Sequence, residues 1–111
     1  MTTAHVLEHP VFNLGPADRI PLGEGRRFNV EGGSLAVFRS RRGDIFVTDA
    51  GCPHKNGPLA DGTIADGSIV CPLHACSFNL KSGNGAGHNC GTLKTYLARI
   101  DTDGSVIVGG Q

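Results

Sequence analysis

The sequence predicts an all-β domain, a sandwich or small barrel. Three observations lead there. Short runs of β-branched and aromatic residues recur along the chain, and Asp-Gly and Gly-Gly pairs separate them. No segment of twelve or more residues carries the i, i+3, i+4 apolar spacing of an amphipathic helix. Seventeen glycines and six prolines in 111 residues demand many turns and leave little room for long helices.

Taken in chain order, Arg27–Val30 and Ser34–Arg39 (SLAVFR) read as two strands around Glu31-Gly32-Gly33, a hairpin turn in which glycine accepts positive φ. Asp44–Thr48 (DIFVT) follows a turn at Arg41-Arg42-Gly43. Segment 60–70 (ADGTIADGSIV) carries turn and strand signals that fold it back on itself, with Ser68-Ile69-Val70 after Asp66-Gly67. Thr92–Ile100 (TLKTYLARI) and Ser105–Val108 (SVIV) flank the turn Asp101–Gly104. The glycine-rich stretch Ser82–Gly91 reads as a loop inside the domain, being too short for a tether.

Bulk composition narrows the function. The length suits one domain with a single core. At 39% hydrophobic and 18% charged residues, the chain suits a folded protein rather than a disordered one. Ten basic residues balance ten acidic ones, so no charge excess argues for nucleic acid or a membrane surface. Arg26, Arg27, Arg39, Arg41 and Arg42 read as solvated arginines flanking strand ends. No apolar run approaches bilayer length, and MTTAHVLEHP lacks the basic-then-apolar pattern of a secretion signal. A cytoplasmic location is expected. Reducing conditions there disfavour disulfides and turn attention to metal or redox chemistry for the four cysteines.

Those cysteines fall into a pattern. Gly51-Cys52-Pro53-His54 supplies C-x-H, and Cys71-Pro72-Leu73-His74 supplies C-x2-H, with sixteen residues between His54 and Cys71. Each half offers one soft thiolate and one imidazole on a tight Gly/Pro loop. Zinc takes Cys2His2 sets, but its fingers usually pair the cysteines in one half and the histidines in the other. Mixed halves suit a two-iron cluster in which one iron takes both thiolates and the other both imidazoles.

With these residues the sequence resembles the Rieske [2Fe–2S] family. The likeness extends through Gly57-Pro58-Leu59, Phe78, the Ser82-Gly83 turn and the closing run Leu93–Tyr96, covering about Phe12 to Val108. The resemblance implies one [2Fe–2S] cluster per chain, with Cys52 and Cys71 on one iron and His54 and His74 on the other. It implies a Rieske-type fold, an antiparallel β base (about 1–48 and 82–111) with a small cluster-binding subdomain (about 49–81) inserted in it. Pro53, Pro58, Pro72 and the nearby glycines would fix the loops and aim backbone N–H groups at the cluster sulfurs. Lys55 and Asn56 would lie on the exposed rim beside the imidazoles.

High-potential members of the family carry an extra cysteine in each cluster loop; here Gly57 and Leu73 stand there, so that disulfide cannot form. Cys76 stands where those members place a serine that donates to the cluster, and a thiol donates more weakly. A potential in the lower, ferredoxin part of the Rieske range is expected. A disulfide between Cys76 and Cys90 is conceivable, but a buried thiol apiece is the expected state. His88 is read as a polar loop residue, a cover for the cluster or a contact to a partner, and His5 and His9 as uninvolved.

Nothing else in the chain supplies a nucleophile–base pair, a phosphate loop or a mononuclear iron site, so no catalytic residue is assigned. The expected role is one-electron transfer from a flavin-containing reductase to a terminal reductase or oxygenase, leaving by the His54/His74 edge. Proton uptake by the imidazoles is expected to accompany it at high pH. Two branches fit. GCPHKNGPLADG, CPLH and the late NCGTLKTY look most like the small Rieske-type subunit of assimilatory NAD(P)H nitrite reductase. The alternative is a free Rieske ferredoxin serving an aromatic-ring dioxygenase. A zinc-stapled interaction module is the competing class.

Overall fold

A computed structural model describes residues 12–30, 33–53, 58–65, 67–72, 76–86 and 90–109. Eleven strands run through these residues: β1 (Phe12–Pro16), β2 (Glu24–Val30), β3 (Gly33–Arg39), β4 (Ile45–Asp49), β5 (Thr63–Ala65), β6 (Ser68–Val70), β7 (Ser77–Asn79), β8 (Gly85–Ala86), β9 (Thr95–Tyr96), β10 (Ala98–Ile100) and β11 (Ser105–Val108). Two single-turn 3-10 helices, Ala17–Arg19 and Leu59–Asp61, interrupt them. The fold among the described residues is antiparallel β, as the sequence predicts.

Three sheets result, ordered β1-β11-β10, β2-β3-β4-β9 and β5-β6-β7-β8. The middle sheet is built from the most apolar run in the chain. Successive residues of a strand point to opposite faces, and β3 has apolar residues on both. Leu35 and Val37 enter a core with Ala17, Ile20, Val47, Val106 and Val108. Ala36 and Phe38 enter a second core with Leu59, Ile69, Phe78, Leu80 and Leu93. The middle sheet is therefore covered on both sides, which is why SLAVF reads as continuous rather than alternating. Phe38 lies so close over Gly25 that a Cβ there would approach its ring to 2.6 Å.

The β2–β3 hairpin pairs in unbroken register from Glu24↔Arg39 to Val30↔Gly33. Its turn residues Glu31 and Gly32 lie outside the described residues. The run Thr92–Ile100 is not one strand. It divides at Leu97: β9 pairs with β4, while β10 pairs with β11. The Leu97 carbonyl accepts the N–H of Gly109 at 2.8 Å, so the chain changes sheets at that residue. Ser82–Gly91 is likewise not only loop, because β8 adds to β7 through Ser77↔Ala86 and Phe78↔Gly85.

Arg39 departs from the solvated reading. Its guanidinium donates to the Ile20 carbonyl at 3.0 Å and lies 3.8 Å from the Asp18 carboxylate, tying β3 to the first 3-10 turn. No helix among the described residues is long and apolar enough to cross a membrane.

Candidate metal centre

Two loops leave the sheets and begin with cysteines. After β4, the Gly51↔Pro58 bridge and the Leu59 N–H to Ala50 carbonyl bond (3.1 Å) close the first loop. The Leu59–Asp61 turn then carries the chain into β5. The second loop is the β6–β7 connection, closed where the Cys71 N–H donates to the Cys76 carbonyl at 2.9 Å. Prolines directly after each cysteine, Pro53 and Pro72, have fixed φ and no N–H to compete with these closures.

Cys52 and Cys71 are each only 2% exposed and belong to the same core cluster. Neither is in a disulfide. Two buried thiols at the mouths of two backbone-closed loops, in an apolar setting that keeps water out, fit soft ligation of iron. His54 and His74 lie outside the described residues, as do Lys55, Asn56, Gly57, Leu73, His88, His5 and His9.

The remaining cysteines correct the sequence reading. Cys76 and Cys90 are not separate thiols but form a disulfide, with Cα atoms 5.7 Å apart. The physical reason is local. Cys76 opens the return into β7, β8 pairs with β7, and the chain then comes back so that Asn84 bridges Thr92. That return brings Cys90 to the ordinary disulfide separation. Residual composition carried a signal for it, since setting aside the two cysteines expected as ligands leaves an even pair. All four cysteines thus share one core.

Segment 90–93 lies against both loops. The Gly91 carbonyl packs on Gly85, where a Cβ would come within 2.4 Å of it, and a Cβ on Gly91 would sit 3.8 Å from Pro53 Cβ. Leu93 donates its N–H to the Gly83 carbonyl at 2.7 Å and buries its side chain in the same core. Farther back, Tyr96 donates a hydrogen bond to the Asp49 carboxylate, three residues before Cys52. Burial, that bond and the Asp49 charge push the Tyr96 phenol up to about 12.

Residues 11–96 match the family model of the Rieske [2Fe–2S] domain. Among curated proteins, the ferredoxin component of the naphthalene 1,2-dioxygenase system from Pseudomonas aeruginosa is 32% identical over 83 residues, covering 74% of this chain and 79% of the relative. The oxygenase component of 3-ketosteroid-9-alpha-monooxygenase from Mycolicibacterium smegmatis is 36% identical over 61 residues, but the chain spans only 16% of its length. Among solved structures, the Sphingomonas yanoikuyae B1 ferredoxin superposes with a TM-score of 0.80 at 31% identity, over 92% of this chain and 100% of that one. A chain from the complex of reduced oxygenase and oxidized ferredoxin in carbazole 1,9a-dioxygenase gives 0.80 at 28%, over 91% and 94%. A Mycobacterium tuberculosis protein described as an NADH-dependent nitrite reductase small subunit gives 0.83 over 93% and 96%, at 18% identity, a likeness of fold.

Proposed function

The chain belongs to the Rieske [2Fe–2S] domain family, and from that premise we propose that it is the free ferredoxin of an oxygenase system, taking electrons from a flavin-containing reductase. It is a ferredoxin-type electron carrier whose cofactor is a [2Fe–2S] cluster. When bound, that group supplies reversible one-electron exchange without an open coordination position. In this reading Cys52 and Cys71 hold one iron as thiolates, and His54 and His74 hold the other through imidazole nitrogens. The inserted unit is the loop-bearing segment about 49–81 within a base of about 1–48 and 82–111, with β8 extending the inserted unit's sheet past residue 81.

The observation that carries the proposal is the pair of buried thiols, each at the head of a closed loop, in a chain whose ferredoxin relative matches over most of both lengths. The protein's own residues do three things. The cysteines and histidines bind, the apolar core of Leu59, Phe78, Leu80 and Leu93 excludes water, and the closed loops hold the ligands in register. A fixed ligand set keeps the reorganisation on electron exchange small.

Analysis of iron and acid-labile sulfide tests the ligation, with about two of each per chain expected; zinc without sulfide would end it. Electron transfer from a flavin reductase to a ring-hydroxylating oxygenase, followed by stopped-flow bleaching, tests the role. A second reading, the small subunit of a nitrite reductase-like system, is favoured by the GCPHKNGPLADG and NCGTLKTY stretches and by the fold likeness. Co-purification with a sirohaem flavoprotein would move the assignment there.

A further inference from the structure

Among the described residues, segment 90–93 touches both cysteine-bearing loops. It meets the first loop where Gly91 lies beside Pro53, and it is bonded covalently to the second through Cys90–Cys76. Its other contacts among the described residues include the Leu93–Gly83 backbone bond, the Asn84↔Thr92 bridge, the packing of Cys90 and Gly91 on Gly85 and the buried Leu93 side chain. The Cys71 N–H bond to the Cys76 carbonyl places the disulfide at the very residue that closes the second loop.

We propose that the Cys76–Cys90 disulfide is a positioning clamp that straps segment 90–93 across both ligand loops and keeps the cluster from being lost. Three features carry this. The link joins the closing residue of one loop to a segment packed on the other. Both cysteines are nearly fully buried, at 5% and 4% exposure, so an attacking thiolate cannot reach the sulfurs without prior opening. Such a bond persists where an exposed one would be exchanged. And the strap cannot shift sideways, since Gly85 already touches the Gly91 carbonyl and Gly83 faces the Leu93 carbonyl, which a Cβ would approach to 1.9 Å. Releasing Cys90 would free the strap from the second loop, and the two loops would lose their shared support.

The proposal rests on the cluster assignment above, and its test separates the two. Holoprotein of the wild type, Cys76→Ala, Cys90→Ala and the double variant is challenged with excess chelator, and loss of visible absorbance is timed. Each single variant is expected to lose its cluster about 10–100-fold faster, the range for removing outer support from a metal site. The double variant is expected to lose it no faster than either single one, because one covalent link is being removed. The cluster's visible circular dichroism is expected to change alike in all three. Wild-type rates throughout, or single effects that add in the double variant, would overturn the clamp.

If the variants do not fold, wild-type protein decides. Alkylation after denaturation and iron removal, without reductant, is expected to label Cys52 and Cys71 alone. Labelling of all four would overturn the proposal, whereas absence of iron and sulfide would instead overturn the cluster assignment. Wild-type protein refolded with a phosphine reductant and then loaded with iron and sulfide is expected to match the variants' faster release; release at the untreated rate would also overturn it.

Discussion

The two faces of β3 bury two very different cores. On one side Leu35 and Val37 join Val47, Val106 and Val108, aliphatic residues from strands of four to seven residues, and Ile20 after the first 3-10 turn. On the other, Ala36 and Phe38 join four cysteines and a sheet whose strands have two or three residues each. The first core resembles that of any small β-domain, and its longer paired strands are expected to persist alone. Strands as short as the second set are marginal by themselves. They hold only where something else fixes their ends, here the packing on β3, the disulfide and, in the holoprotein, the ligated metal. One strand thus supports a base expected to stand alone and a cap expected to depend on its fixings, with alternate β3 residues facing each.

The sharpest way to break the pair apart is to remove one of the thiols proposed as ligands. Cys52→Ser or Cys71→Ser is expected to abolish cluster loading, read as loss of visible absorbance and bound iron. The base is expected to melt cooperatively at close to the temperature of the wild-type apoprotein. Collapse of the whole domain in either variant would show that the base is not self-sufficient.

Neighbouring residues on β3 offer the next comparison. Phe38→Ala empties a fully buried position on the cap side and is expected to cost about 3–5 kcal/mol in apoprotein urea melts, together with faster cluster loss. Val37→Ala, equally buried on the base side, is expected to cost roughly 2 kcal/mol and to leave the rate of cluster loss at the wild-type value. Equal effects on cluster retention would mean the two faces communicate.

Gly83→Ala comes third. Gly83 has φ +80°, and a Cβ there would lie 1.9 Å from the Leu93 carbonyl, so backbone must move. The expected loss is about 1–3 kcal/mol, falling on the cap and seen as early protection loss around Leu93 in hydrogen exchange. An unchanged exchange pattern would contradict the tight approach.

How much of this was legible beforehand follows the same division. The base was readable because its strands are long and apolar: SLAVF, DIFVT and SVIV announce themselves, and each became a strand. Phe12–Pro16 was missed, since FNLGP carries glycine and proline that read as turn. In the cap, C-x-H and C-x2-H identified the loops, but β7 and β8 are too short to leave a periodic signal. The disulfide was misjudged because compartment chemistry was weighed against it, while proximity is set by tertiary pairing that sequence spacing does not reveal. The division of Thr92–Ile100 at Leu97 was hidden for a related reason. A strand that changes sheets keeps its β-propensity, and only its partners differ.

Tyr96 lies on the seam, and it gives the smallest and most specific effect. Its side chain packs against the base core while its hydroxyl bonds Asp49 at the end of β4, just before the first ligand loop. The phenol is raised from 10.0 to about 12, first by burial, then by the hydrogen bond and the charge of Asp49. The folded chain therefore holds its proton more tightly than the unfolded one. This contribution is complete below pH 10 and is lost as pH rises from about 10 through about 12, because unfolding then releases a proton. The ring is only half-buried, so solvent screening limits the effect to about 1 kcal/mol. Tyr96→Phe removes the titrating group, and its stability is expected to fall less steeply over that interval than the wild type's. Since the bond joins β9 to the end of β4, the variant is also expected to release the cluster slightly faster at neutral pH. An alkaline stability curve that matches the wild type's would show that the seam is held by packing alone.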